Sequence, residues 1–145
     1  MAYWLLKTEP GEFSAHDIAK GGKHVWDGVA NATALIHLRN FAVGDQAFIY
    51  HTGSEKQIVS IVEITKAAYP DPKRKGLERE SGKFVVVGLC HLEMLEAPVP
   101  LALIKSHKEF AEWDLVRIGR LSVVPTSEAQ WNKVFELSVE LSKQK

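Results

Sequence analysis

The sequence predicts an α+β fold, a small curved sheet or barrel flanked by short helices and closed by a C-terminal helix. Three observations carry this reading. Runs rich in β-branched and aromatic residues recur from Tyr3 to Val124, separated by Gly, Pro, Asn and Asp. Helix-capping signals fall between some of these runs, without the regular alternation that βαβ units require. Near the end, Ser127 and Gln130 form a capping box ahead of Trp131, Val134, Phe135 and Leu141, the pattern of an amphipathic helix. With 145 residues, 46% hydrophobic and 25% charged, the chain is expected to form one domain, residues 1–145. A chain of this size buries roughly two-thirds of its unfolded surface.

Residues 3–10 read as a strand that ends in Lys7, Thr8, Glu9 and Pro10. Ser14 with Asp17 caps a short helix that Gly21 and Gly22 stop. His24 to Gly28 is a brief strand and turn, after which Asn31 or Thr33 caps a helix over residues 34–40 with Leu35 and Leu38 inward. Gly44 and Asp45 make a turn. Residues 46–52 and 57–66 form a hairpin joined by Gly53, Ser54, Glu55 and Lys56. Residues 69–83, with Pro70, Pro72, Gly76 and Gly82, read as a mobile polar loop before a long strand over 83–95. Pro98 and Pro100 mark an edge, short helices follow over 101–106 and 108–113, and Pro125 breaks a strand over 121–124.

Composition excludes several functions. Eighteen basic and eighteen acidic residues give zero formal charge, against strong nonspecific binding to phosphates. Lys73, Arg74, Lys75 and Arg79, and again Lys105, Lys108, Arg117 and Arg120, are local basic clusters that mark either one positive face or solvated loops. In the first cluster, Lys73, Arg74 and Lys75 are candidate phosphate contacts on the loop. The single cysteine, Cys90, reads as a small core residue in a protein of a reducing compartment. The N-terminus lacks a signal-peptide pattern and no run of eighteen apolar residues occurs, so the expected location is the cytoplasm, with no membrane partner. The six histidines show no metal-ligand spacing, and no phosphate-cradling glycine loop is present, so neither a metal nor a cofactor is expected.

Two constellations carry chemistry. Polar groups delivered at the end of an apolar strand suggest the mouth of a pocket. There, Lys7 beside Thr8 and Glu9 is either a desolvated base for a hydroxyl nucleophile, with His51 or Ser122 joining another arrangement, or a set of hydrogen-bonding groups without covalent chemistry. The second reading is favoured. Trp26, followed by Asp27 and Gly28, stands at a strand end where the backbone can bend around something flat. Tyr50 and His51 end a strand in the same manner, whereas Trp4, Trp113 and Trp131 lie in apolar periodic surroundings that read as core.

The ordered pieces Trp4 to Pro10, Trp26 to Val29 with Asn31, Val43 to Asp45, Phe48 to Thr52, Ile58 and Val59 with Glu63, Ala68 to Pro72, and Arg117 with Arg120 to Pro125 resemble the EVE domain, a PUA-like family related to YTH domains. They span nearly the whole chain. The resemblance implies a PUA-like curved mixed sheet or β-barrel of five or six strands and a monomer that reads a modified or flipped base in DNA or RNA without catalysis. Trp26 would be the stacking wall, with Lys7, Thr8, Glu9, Asn31, Tyr50, His51, Arg120 and Ser122 lining the pocket. A small amidohydrolase of the related ASCH-like type, acting on acylated nucleosides, and a binder of a free small molecule are the alternatives. This chain departs from the family pattern at Ala32, Leu35 and Ile36, at Ser60 where glycine is usual, and at Ile118 with Gly119.

The energetics agree with base reading. Extruding a base from a duplex costs a few kcal/mol and stacking on an aromatic ring returns about 1–3 kcal/mol, leaving the remainder to hydrogen bonds. A neutral protein with such a pocket depends on the base more than on phosphates. As a pocket wall, Trp26 is expected to tolerate truncation with the fold largely intact.

Overall fold

A computed structural model describes residues 1–144. Strands β1 (Tyr3–Thr8), β2 (Lys23–Trp26), β3 (Gln46–His51), β4 (Gln57–Pro70), β5 (Val85–Pro100) and β6 (Val123–Thr126) form one sheet in the order β2-β5-β4-β3-β1-β6. β1 and β3 are parallel and every other neighbouring pair is antiparallel, so the sheet is mixed. β4 and β5 form a long ribbon whose pairing register shifts at four places, and these irregularities coil it. β2 and β6 do not pair with each other, so the sheet is curved and open; of the two shapes expected, it is not a closed barrel. Gly88 stands at one register shift, where a Cβ would lie 2.9 Å from the Lys66 Cβ.

Local signals set the helices α1 (Ala15–Ala19), α2 (Ala32–Arg39), α3 (Leu77–Glu80), α4 (Leu101–Lys105), α5 (Asp114–Arg117) and α6 (Glu128–Lys143). Ser14 and Asp17 complete a reciprocal capping box on α1, and Ser127 and Gln130 do the same on α6. Asn31 rather than Thr33 caps α2, its side chain accepting from the Ala34 N–H at 3.0 Å. α6 lays Trp131 between Tyr3 and Phe48, with ring centroids 4.5 and 3.9 Å away, and anchors to β5 where the Ser138 hydroxyl donates to the Ala97 carbonyl. Trp4, Trp113 and Trp131 are buried, as their surroundings predict.

Prolines account for the displaced boundaries. β4 runs on to Pro70 and β5 to Pro100, beyond the expected ends, because each proline lies where its strand has a neighbour on one side only. Pro125, expected to break a strand, lies inside β6 opposite Trp4; β6 is an edge strand, so the missing N–H leaves no ladder bond unmade. The 69–83 segment is not wholly a loop: it includes α3, and the Asp71 N–H donates to the Phe84 carbonyl to close its base. Among the described residues no helix is long and apolar enough to cross a membrane, and no three His, Cys, Asp or Glu side chains cluster as metal ligands.

Candidate functional site

The parallel pairing of β1 with β3 sets Lys7 beside Tyr50 and Thr8 beside His51, while the Lys7 N–H donates to the Ser122 carbonyl at 2.9 Å. The end of β2 at Trp26 and the turn after it, with Asp27 and Gly28, reach the same end of β1. Lys7, Thr8, Glu9, Phe13, Trp26 and Ser122 thereby line one cavity of about 360 Å³, within the range of small-ligand sites. Glu12, Asp27 and Gly28 continue its wall.

Each polar group there has a defined state. The Lys7 Nζ donates to the Gly119 carbonyl at 2.8 Å and lies 5.7 Å from the Tyr50 ring centroid; burial pushes its pKa down. The Thr8 hydroxyl donates to the Phe13 carbonyl at 2.6 Å, so its proton faces main chain rather than a basic side chain. The Glu9 carboxylate accepts from the Gly11 N–H at 3.4 Å and lies 3.3 Å from the Thr52 hydroxyl, which has one proton to give and is also 3.2 Å from the Thr8 carbonyl. These groups present an ammonium, a carboxylate and hydroxyls to the cavity, a set suited to a polar, flat ligand edge.

Trp26 differs from the sequence expectation. It lines the cavity but is only 6% exposed and belongs to the hydrophobic core, with Phe13 at 6.1 Å between ring centroids. Truncating it removes core packing as well as pocket wall, which corrects the expectation that the fold would be largely indifferent. Phe13 and Glu12 were missed by sequence reasoning. The turn that delivers them is visible only as Pro10-Gly11, and closes through Glu12 and Phe13 N–H groups donating to the Glu9 carbonyl.

The remaining candidates lie elsewhere. Asn31 is exposed and spends its side-chain oxygen on the α2 cap, one residue beyond Ala30 in the cavity wall. Tyr50 is buried under Lys7 rather than facing the cavity. His51 is 2% exposed: its Nε2 accepts from the Ala15 N–H at 3.0 Å, so Nδ1 carries the proton toward Glu55 Oε1 at 2.9 Å. It lines a separate cavity of about 380 Å³ with Ser14, His16 and Glu55. Arg120 is exposed, next to the Gly119 that receives Lys7, and is outside the cavity lining.

The EVE domain family model matches residues 2–137. The chain belongs to the EVE domain family. It is 30% identical to thymocyte nuclear protein 1 of Gallus gallus over 95% of this chain and 69% of that protein. An NMR structure of a Rhodopseudomonas palustris protein superposes with a TM-score of 0.88 at 38% identity, covering 97% of this chain and 95% of that one. The human THYN1 protein, solved in complex with 5-methylcytosine-containing DNA, gives 0.84 at 26% identity over 95% and 98% of the two chains. An ASCH protein of Zymomonas mobilis, at 11% identity and a TM-score of 0.57, shares the fold.

In this EVE domain the candidate phosphate contacts are largely paired already. Lys73 bridges to Asp27 at 2.8 Å, and Arg74 pairs with Glu78 at 2.9 Å while lying 3.9 Å from the Phe84 ring centroid. Lys75 is exposed, with no ion-pair partner among the described residues. Three free phosphate contacts would change the log–log salt slope of duplex binding by about 2.7, whereas compensated charges contribute less. Neutralising Lys73, Arg74 and Lys75 together is therefore expected to flatten the slope by only about 1. Anisotropy titrations across a salt series measure this, and an unaltered slope would remove the segment from the interface.

Proposed function

We propose that this EVE domain is a noncatalytic binder of nucleic acid carrying a modified base, with DNA containing 5-methylcytosine as the first ligand to try, and that the base enters the cavity at the end of β1. One observation carries the reading: Lys7, Thr8, Glu9 and Ser122 converge beside Trp26 around a cavity of ligand size. The complex of human THYN1 with 5-methylcytosine-containing DNA, a relative at 26% identity, supports the choice of ligand. Lys7 supplies a donor for a base carbonyl or ring nitrogen, Glu9 an acceptor for an exocyclic amine, and Trp26 and Phe13 the apolar flank. Asn31 follows Ala30 of the cavity wall, and Arg120 follows Gly119, whose carbonyl receives Lys7; neither lines the cavity itself.

The test is titration of single- and double-stranded DNA and RNA oligonucleotides that differ at one position. Burying one methyl group contributes about 0.8 kcal/mol, so 5-methylcytosine is expected to bind about fourfold more tightly than cytosine. Lys7→Met is expected to weaken both about tenfold or more, the loss of one charge-assisted hydrogen bond. Equal affinities with and without the modification, unaffected by Lys7→Met, would sink the reading.

Trp26→Ala is expected to lose about 1–3 kcal/mol of affinity and also to lower the melting temperature, with Trp26→Phe recovering part of each. Unchanged affinity in a folded Trp26→Ala protein would exclude a role for the ring. Acylated nucleosides are expected to survive incubation with the protein, and a time-dependent loss that vanishes in Thr8→Ala would overturn the noncatalytic assignment.

A further inference from the structure

We propose that Glu9, held in place by the β3–β4 turn at Gly53, is the side chain with which the cavity distinguishes an aminopyrimidine from its oxo counterpart, 5-methylcytosine from thymine. The inference rests on the base-binding reading above and names what that site selects. The two bases carry the same methyl group at C5, so no contact to the methyl separates them. They differ at C4, where cytosine presents an N–H₂ donor and thymine a carbonyl acceptor. DNA is rich in thymine, so a site for methylated cytosine must read that edge. A carboxylate accepts from the amine and repels the carbonyl.

Three carboxylates border the cavity, and among them Glu9 combines a backbone contact with oxygens that no charged partner occupies. Asp27 is engaged by Lys73 at 2.8 Å. Glu9 and Glu12 are both exposed, but the Glu12 carboxylate has no hydrogen-bond partner among the described residues. Glu9 accepts from the Gly11 N–H at 3.4 Å and lies 3.3 Å from the Thr52 hydroxyl, whose single proton is shared with the Thr8 carbonyl at 3.2 Å, and each carboxylate oxygen keeps a lone pair for a ligand.

Gly53 is what permits this placement. A Cβ on residue 53 would lie 3.0 Å from Glu9 Oε2, and its φ of +74° is a conformation that side-chain-bearing residues rarely adopt. The positive φ favours glycine there, and an added Cβ would push the Glu9 carboxylate aside by a few tenths of an ångström. On the same strand end, the Lys7 ammonium provides the complementary donor for the O2 or N3 acceptors of cytosine. Thymine in that pose sets its O4 against a carboxylate and, where Lys7 meets N3, its N3–H against an ammonium.

The experiment is competition between oligonucleotides identical except for one 5-methylcytosine, cytosine or thymine, against wild type, Glu9→Gln and Gly53→Ala. Wild type is expected to prefer 5-methylcytosine over thymine by about tenfold to a hundredfold, the discrimination of one good base-edge pair. Glu9→Gln, whose amide can turn to donate to O4, is expected to bring that ratio within about threefold while the methyl preference over cytosine persists. Gly53→Ala is expected to lower the ratio by displacing Glu9; if it does not fold, the exposed Glu9→Gln substitution carries the test alone.

A 5-methylcytosine-to-thymine ratio that is near one in wild type, or unchanged in Glu9→Gln, overturns the inference while leaving the base-binding reading standing if 5-methylcytosine is still preferred over cytosine. Loss of that preference in wild type, with Lys7→Met without effect, overturns both.

Discussion

Replacing Trp131 with alanine is expected to destabilise the protein by about 3–5 kcal/mol, the usual range for deleting a buried tryptophan. The ring is 4% exposed and lies between Tyr3 of β1 and Phe48 of β3, tilted from them by 24° and 20°. It therefore joins α6 to the parallel pair β1 and β3, and stacked aromatic pairs add to the loss of buried area. Against a total stability of about 5–15 kcal/mol, this removes much of the margin. At about 3 °C per kcal/mol for a chain of this size, thermal melting should shift down by about 10 °C or more. A melting curve unmoved by Trp131→Ala would show that α6 does not hold the sheet.

A second large effect is expected at Asp45, which the sequence marks only as half of a Gly-Asp turn. Its carboxylate is 3% exposed and accepts from the Ala2 N–H at 3.0 Å, the Trp4 indole N–H at 3.0 Å and the Ala42 N–H at 2.9 Å. Burial alone would raise its pKa. The three donated hydrogen bonds, helped by the positive N-terminus, outweigh burial and hold it below the usual carboxylate range. Asp45→Asn puts an NH₂ group against these donors and is expected to cost about 2–4 kcal/mol at neutral pH.

The pH dependence has a definite sign. Because the folded-state pKa is depressed, the stabilisation from Asp45 is complete above the unfolded value of about 4 and is lost as pH falls through the lower folded value. Urea melts from pH 7 to pH 2 should show wild type and Asp45→Asn converging below pH 4. Curves that stay parallel would mean that the carboxylate is not the group that Trp4 and the two amides require.

Residues whose structure depends on near neighbours were legible before any coordinates. Ser14 with Asp17, Asn31 before Ala34, and Ser127 with Gln130 each satisfy amides within three residues, so the helix starts follow from sequence. The β3–β4 hairpin and the burial of Trp4, Trp113 and Trp131 were legible for the same reason, as patterns contained in one element. The polar end of β1 was recognisable as a pocket mouth because lysine, threonine and glutamate at the end of an apolar strand need partners.

What those partners are was decided only by the tertiary structure. Lys7 meets the Gly119 carbonyl 112 residues away, and Lys73 meets Asp27 across 46 residues, which turned candidate phosphate contacts into internal pairs. His51 points back to the amide of Ala15, and Trp26 is packed into the core while still touching the cavity. Pro125, which reads as a strand break, lies within β6 because sheet order leaves it one-sided. Sequence patterning determines which residues want burial, capping or partners. The register of strands brought together from distant parts of the chain determines which groups they meet, and no interaction within a few residues can encode it.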